Sequence, residues 1–222
     1  SFVLGSLPPG VAATLTDDNA GTVTIEITNI TLPKWTGAVD DLWDTTTANW
    51  LDQLSSLATQ YTDNVPVLFD DSAAGSTAIT LNETVSPGGV VFSNSTLPYT
   101  ISGTGKITGS NGLRKDGTAS LTIDTANDFT GAVELNGGAV SFGSPNAFGI
   151  GTSPVILNTA SLTYTGPIGV TSRGLAINSA ATLLTTAADI TFNGQITSTN
   201  GNFTKEGAGN LTFAYPGANV LG

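Results

Sequence analysis

The sequence predicts an all-β fold laid down as a stack of short strands, and three observations carry that expectation. Strand formers such as Thr, Val and Ile share the chain with turn formers, led by 27 glycines among 222 residues. From Ser76 onward, short alternating apolar stretches recur about every seven to thirteen residues, from Ile79 through Leu121, Val140 and Leu162 to Leu211. The stretch from Gly105 to Gly131 is also repeated about ninety residues later, between Ile196 and Gly222. There Lys115 matches Lys205, Gly117 matches Gly207, Leu121 matches Leu211, Thr122 matches Thr212 and Asn127 matches Asn219. Self-similarity at a long period marks stacked, quasi-one-dimensional architectures. Three strands per coil would give a turn of about twenty residues.

Taken in order, residues 1–33 read as a β-hairpin. Val11 to Leu15 and Thr22 to Thr28 alternate, and Asp17, Asp18, Asn19, Ala20 and Gly21 between them are turn formers. Residues 34–75 are a spacer that holds all three tryptophans, Trp35, Trp43 and Trp50, and seven of the 17 acids. Its only helix-like stretch runs from Trp50 to Ala58. Two readings of the tryptophans stand side by side: an aromatic platform for sugars, or a cap over the exposed apolar end of a β stack. Residues 76–222 are the stack itself. Asn-Gly pairs such as Asn111-Gly112 and Asn193-Gly194 also suit two-residue hairpins, so an antiparallel β-sandwich is the alternative.

The run ITGSNGLRKDGTASLTIDTANDFTGAVELNGGAVSFG resembles the autotransporter-associated (passenger-associated) β-strand repeat of large bacterial surface proteins. Gly112, Leu113, Lys115, Gly117, Leu121, Ile123, Asn127, Phe129, Gly131 and Gly138 take that repeat's positions, with Ala119 where it often has glycine. The Lys34–Trp50 stretch and the run from Val67 to Ile107 are similar to the spacer that joins such repeats. The resemblance implies a right-handed parallel β-helix and a secreted or cell-surface location. It puts Leu113, Leu121, Ile123, Val133, Leu135, Val140 and Phe142 in the core, and Gly112, Gly117, Gly131 and Gly138 at turns. It also implies that residues 1–29 close one repeat unit and that the chain stops inside another. Strands about Thr22, Val23, Thr24 and Ile25 could then pair with those about Leu211 and Phe213 of a second copy, giving a head-to-tail filament.

Composition narrows the chemistry. Only 10% of residues are charged, and the net charge is −11. Residues 1–71 hold ten acids against Lys34 alone, a net of −9. Such a balance disfavours nucleic acid, whose phosphates are bound by Lys and Arg, and an anionic membrane surface. No apolar run approaches the roughly 20 residues of a spanning helix. The chain has no Cys, hence no disulfides or thiolate nucleophile, and no His, hence no Ser-His-Asp triad and no imidazole ligand. The absence of Met reads as a processed or excised piece.

Carboxylate chemistry remains. A glycosidase or lyase needs acids converging from adjacent turns, whereas Asp116, Asp124, Asp128, Glu134, Asp189 and Glu206 are scattered along the sequence. No enzyme is expected, and no cofactor other than calcium. Asp40, Asp41 and Asp44 are the candidate calcium ligands, because their mutual repulsion would favour a cation, although the spacing is not that of an EF-hand. Arg114, Lys115 and Asp116 form the one tight basic–acidic cluster and read as a screened pair in a turn. The five Asn-x-Ser/Thr sequons are no more than this composition yields by chance. The function expected is that of an extracellular fibre or stalk, with a glycan-binding adhesin as the alternative. The expected partner is a second copy or a neighbouring repeat.

Overall fold

A computed structural model describes residues 3, 11–18, 20–30, 32–178, 181–199 and 202–221. Among them every regular element is a β-strand. The Trp50–Ala58 stretch, expected as a short helix, is two short antiparallel strands, Trp50–Leu51 and Ala58–Thr59, around a tight turn. The Asp52 carboxylate accepts the Leu54 and Ser55 N–H groups, and Ser56 sits at φ 58°. Asp side chains that bond their own backbone favour turns over helix.

The strands stack in parallel as a β-solenoid of about six turns, and this excludes the antiparallel sandwich. On the first face the strand Val67–Asp70 pairs with Val90–Ser93. The ladder continues through Leu113–Asp116, Val133–Leu135, Val155–Leu157, Leu175–Ile177 and Ile196–Ser198 to Val220–Leu221. The second face runs from Ala78–Thr80 to Asn202–Glu206. The third is formed by Thr84–Val85 with Lys106–Ile107 and, further on, by Gly169–Thr171, Ile190–Phe192 and Leu211–Phe213. Between those two patches single bonds carry the third face, from Asp128 N to Ile107 O and from Ile150 N to Phe129 O, both 3.0 Å.

Because side chains alternate across a strand, each face sends every second residue inward, and successive turns pile like on like. Val67, Val90, Leu113, Val133, Val155, Leu175 and Ile196 form one fully in-register buried column. Ile79, Ile101, Ile123, Phe142 and Tyr164 form another on the second face. The sequence-derived core residues, Leu113, Leu121, Ile123, Val133, Leu135, Val140 and Phe142, are all buried. Their burial drives folding at roughly 25 cal/mol per Å² of apolar surface removed from water. The coil opens at Val67, so the strand Val67–Asp70 of the expected spacer already belongs to it.

Two features of the repeat differ from the sequence reading. Leu113–Asp116 is a strand, and its alternation buries Lys115 completely between Phe92 and Leu135 while exposed Arg114 pairs with half-buried Asp116 at 2.8 Å on the outside. Lys115 also lies on the first face and Lys205 on the second, so the ninety-residue repeat is not a repeat of position in the coil. What recurs is a corner. Lys115 Nζ donates to Asp116 O and Gly117 O, and Lys205 Nζ donates to Gly207 O. Gly117 and Gly207 share a φ of 82°. Asn127 Oδ1 likewise accepts the Ile107 N–H, and Asn219 Oδ1 the Ile196 N–H, each one turn back.

The corner makes Gly117→Ala costly. Its Cβ would lie 2.1 Å from Asn94 O, in a backbone conformation that L residues rarely adopt. A loss of on the order of 3 kcal/mol is expected in urea unfolding. At Gly89 a Cβ meets only Pro66 Cβ at 3.7 Å, and Gly89→Ala should cost about 1 kcal/mol or less.

Candidate functional site

A coil has two ends, and each exposes unpaired backbone and an apolar cross-section unless something covers it. The two ends of this one are treated differently.

At the first end the chain turns back on itself. Lys34–Trp35 pairs in parallel with the coil through Leu68 and antiparallel with Trp50–Leu51 on its other side. Leu42 bridges to Thr80 on the second face, with Trp43 N donating to Thr80 O and Thr80 N to Asp41 O. These contacts lay Trp35, Trp43 and Trp50 across the mouth of the coil, all with 0% exposure. Trp50 meets Trp35 edge to face at 5.2 Å and Trp43 at 5.6 Å. Trp43 and Trp50 each stand 5.3 Å from Phe69, which stacks on Phe92 of the next turn at 4.6 Å. Edge-to-face aromatic pairs of this kind are each worth about 0.5–1.5 kcal/mol beyond the area they bury. Trp35 Nε1 donates to Ser76 O, while Trp43 Nε1 and Trp50 Nε1 have no partner. Tyr61 packs against the same cluster and donates to Asp63; burial, with the Asp63 carboxylate, pushes its phenol well above the usual range. No tryptophan ring offers a face to a sugar.

The acids of this segment brace the cap. Asn49, fully buried, accepts the Val39 and Asp40 N–H groups through Oδ1 and donates through Nδ2 to Leu42 O and Asp40 Oδ1. Asp40 also accepts the Leu42 N–H, and Asp41 accepts the Thr80 hydroxyl at 2.7 Å. Partial burial pushes the Asp44 carboxyl up, but the Thr47 and Thr46 N–H groups and the Thr47 hydroxyl outweigh it and hold it below the usual range. Asp40 and Asp44 are turned to their own loop, and Asp41 to the coil. Among the described residues no group of three or more His, Cys, Asp or Glu converges as a metal site would require, and Asp40, Asp41 and Asp44 are not brought together.

Ahead of the cap, Val11–Asp17 and Val23–Ile30 form an antiparallel ribbon that, among the described residues, pairs with itself alone. Asp18 ties its turn by accepting the Thr22 and Ala20 N–H groups, which hold its carboxyl below the usual range. Thr22, Thr24 and Ile25 are exposed, Ile25 at 60%, and Val23 is half-buried. Residues 1–10 of the expected hairpin segment, apart from Val3, lie outside the described residues, as does Asn19.

The other end has no aromatic cap among the described residues. Asn202–Glu206, Leu211–Phe213 and Val220–Leu221 are the last strands of their faces. Ile190 and Phe192 are buried one turn earlier, but their register partners Leu211 and Phe213 are only half-buried, and Phe203 beside them is likewise. Leu211, Phe213 and Phe203 thus form a half-buried apolar row in the last described turn.

Arg173 escaped the sequence reading. It is fully buried, donating from Nε to Phe148 O at 3.0 Å, from Nη1 to Ser153 O at 3.0 Å and from Nη2 to Gly131 O at 2.8 Å. Its guanidinium carbon lies 5.7 Å from the centre of the Phe129 ring. Burial pushes the guanidinium down from its usual value. Nothing in the local sequence separates this arginine from an exposed one, because its partners are carbonyls from turns up to 42 residues away.

No protein-family model, curated protein or solved structure matches the chain.

Proposed function

We propose that this chain is a structural module of an extracellular or bacterial cell-surface fibre, its coils joined end to end by the N-terminal ribbon. One observation supports the reading: the described residues form a parallel β-solenoid with continuous in-register apolar columns, tryptophan lying across its first turn and a half-buried apolar row of Phe203, Leu211 and Phe213 in its last described turn. The cap blocks direct coil-on-coil stacking at the first end, since its rings already fill the mouth. A self-paired ribbon, by contrast, has two open edges, and a lone two-stranded hairpin is at best marginally stable in water. Adding the ribbon to the edges at Asn202–Glu206, Leu211–Phe213 or Val220–Leu221 of a second copy would satisfy both. A non-closing head-to-tail contact of this type builds a filament. The surface and secreted location rests on the resemblance to autotransporter-associated repeats and on the acidic, cysteine-free composition.

Electron microscopy and light scattering at rising concentration test this. The full chain is expected to form fibres, and a chain lacking residues 1–30 is expected to remain as short rods with an unchanged melting temperature. Fibres that survive the deletion, or a full chain that stays monomeric, would sink the proposal.

A further inference from the structure

The third face carries a group of apolar side chains that neither the core nor the cap uses. Ile168 is 78% exposed, Val170 55% and Ile150 47%. Alternation along Gly169–Thr171 turns Thr171 inward and Val170 out. The three stand on adjoining turns, for Ser172, two residues past Val170, donates its hydroxyl to Ile150 O at 3.0 Å. Ile168 stands on a braced corner. The Tyr164 hydroxyl donates to Pro167 O, and Gly169 N donates to Asp189 O at 3.1 Å. Pro145 packs so closely on Gly169 that a Cβ there would fall 2.1 Å from Pro145 Cγ. Tyr215 and Val220, the other exposed large apolar residues of the described coil, lie in its last turn.

Charge decides what can meet this patch. Residues 135–188 hold one charged side chain, Arg173, and it is fully buried. The acids on either side are engaged, Asp189 by the Asn210 N–H at 2.7 Å and Asp128 by Lys106. The chain as a whole has a net charge of −11, so two copies repel wherever their acids are brought together. Through this band they can meet without opposing carboxylates. A charged partner, by contrast, has no exposed ionic group here to bind. Contiguous exposed apolar side chains on a largely polar surface mark association sites.

We propose that the chain pairs side by side with a second copy through its third face, Ile150, Ile168 and Val170 of one meeting the same residues of the other. Such a self-complementary contact is isologous and closes at two copies. Three side chains supply much less than the roughly 800 Å² per partner of a stable complex, so the pairing is weak, with a Kd on the order of 100 µM or above. It is a lateral contact, separate from end-to-end growth, and does not involve the N-terminal ribbon.

The absence of cysteine from the chain provides the test. Ile150→Cys, Ile168→Cys and Val170→Cys are made singly in the full chain and oxidised, with Leu57→Cys as the control, 67% exposed but in the cap segment. At least one of the three is expected to form a disulfide-linked dimer ten times faster than the control. Adding a lysine beside it, by Val170→Lys or Ile168→Lys, should remove that advantage without lowering the melting temperature, since both positions are exposed. Rates that match the control at all three positions would overturn the proposal, and so would cross-linking that survives the lysine. Binding of the full chain to phosphatidylcholine vesicles that is lost in Val170→Lys, with cross-linking no faster than the control, would assign the patch to a lipid surface instead. Fibre length reports end-to-end growth and these cross-links report the third face, so either reading can fail while the other stands.

Discussion

Trp50→Ala is expected to lower the stability of the coil by about 3–5 kcal/mol, the range for deleting a buried aromatic core residue. Trp50 is fully buried and touches Trp35, Trp43, Tyr61 and Phe69 at ring distances of 5.2 to 6.1 Å, so its loss empties the centre of the cap. The deficit should be local. In a solenoid each turn contacts mainly its neighbours, so fraying begins at the end that has lost its cover. Hydrogen exchange should therefore rise first in Val67–Asp70 and Ala78–Thr80, and much less in Leu175–Ile177. Trp50→Phe keeps an aromatic ring and should lose less. Uniform exchange along the coil, or a loss below about 1 kcal/mol, would show that the tryptophans decorate the end and do not close it.

Arg173→Ala should be comparably damaging, by about 3–5 kcal/mol, even though no ion pair is broken. The substitution removes the donors of three carbonyls, Phe148 O in a buried bond and Ser153 O and Gly131 O in partly buried ones, and leaves a hole beside Phe129. Each orphaned carbonyl contributes about 1–3 kcal/mol, with the sum reduced by relaxation and entering water. Arg173→Met separates the two contributions, since it fills the space but restores no donor. The comparison is Arg114→Ala, where the arginine is exposed and its ion pair with Asp116 is worth about 1 kcal/mol at most. Equal denaturation midpoints for Arg173→Ala and Arg114→Ala would contradict a role for Arg173 in clamping successive turns.

The contrast between these two arginines shows how far the sequence could be read. Alternation of Val, Ile and Leu with Thr and Ser is visible residue by residue, and it identified Leu113, Leu121, Val133 and Phe142 as core without any knowledge of the turns above and below. The β-rich usage and spaced turns likewise indicated an all-β stack with turns of about twenty residues; successive partners such as Leu113 and Val133, or Val67 and Val90, are 20 and 23 apart. Local information failed where a residue's environment is assembled from distant turns. Lys115 looked like part of a charged turn, yet the strand register that carries Leu113 inward carries Lys115 inward too. The Asp40, Asp41 and Asp44 cluster read as a cation site from its local charge alone; in the structure these carboxylates accept from the Leu42 N–H, the Thr80 hydroxyl of the coil and the Thr47 N–H.

By itself, then, the sequence determined the class of fold, the inward-facing columns and the self-paired N-terminal ribbon, because periodicity and turn chemistry act over a few residues. The tertiary structure decided everything that depends on what lies one turn away. It set the burial of Trp35, Trp43 and Trp50 and the carbonyl cage around Arg173. The physical reason is the parallel stack itself: every residue's nearest neighbours are about twenty positions distant in the chain, at separations that local pattern does not record.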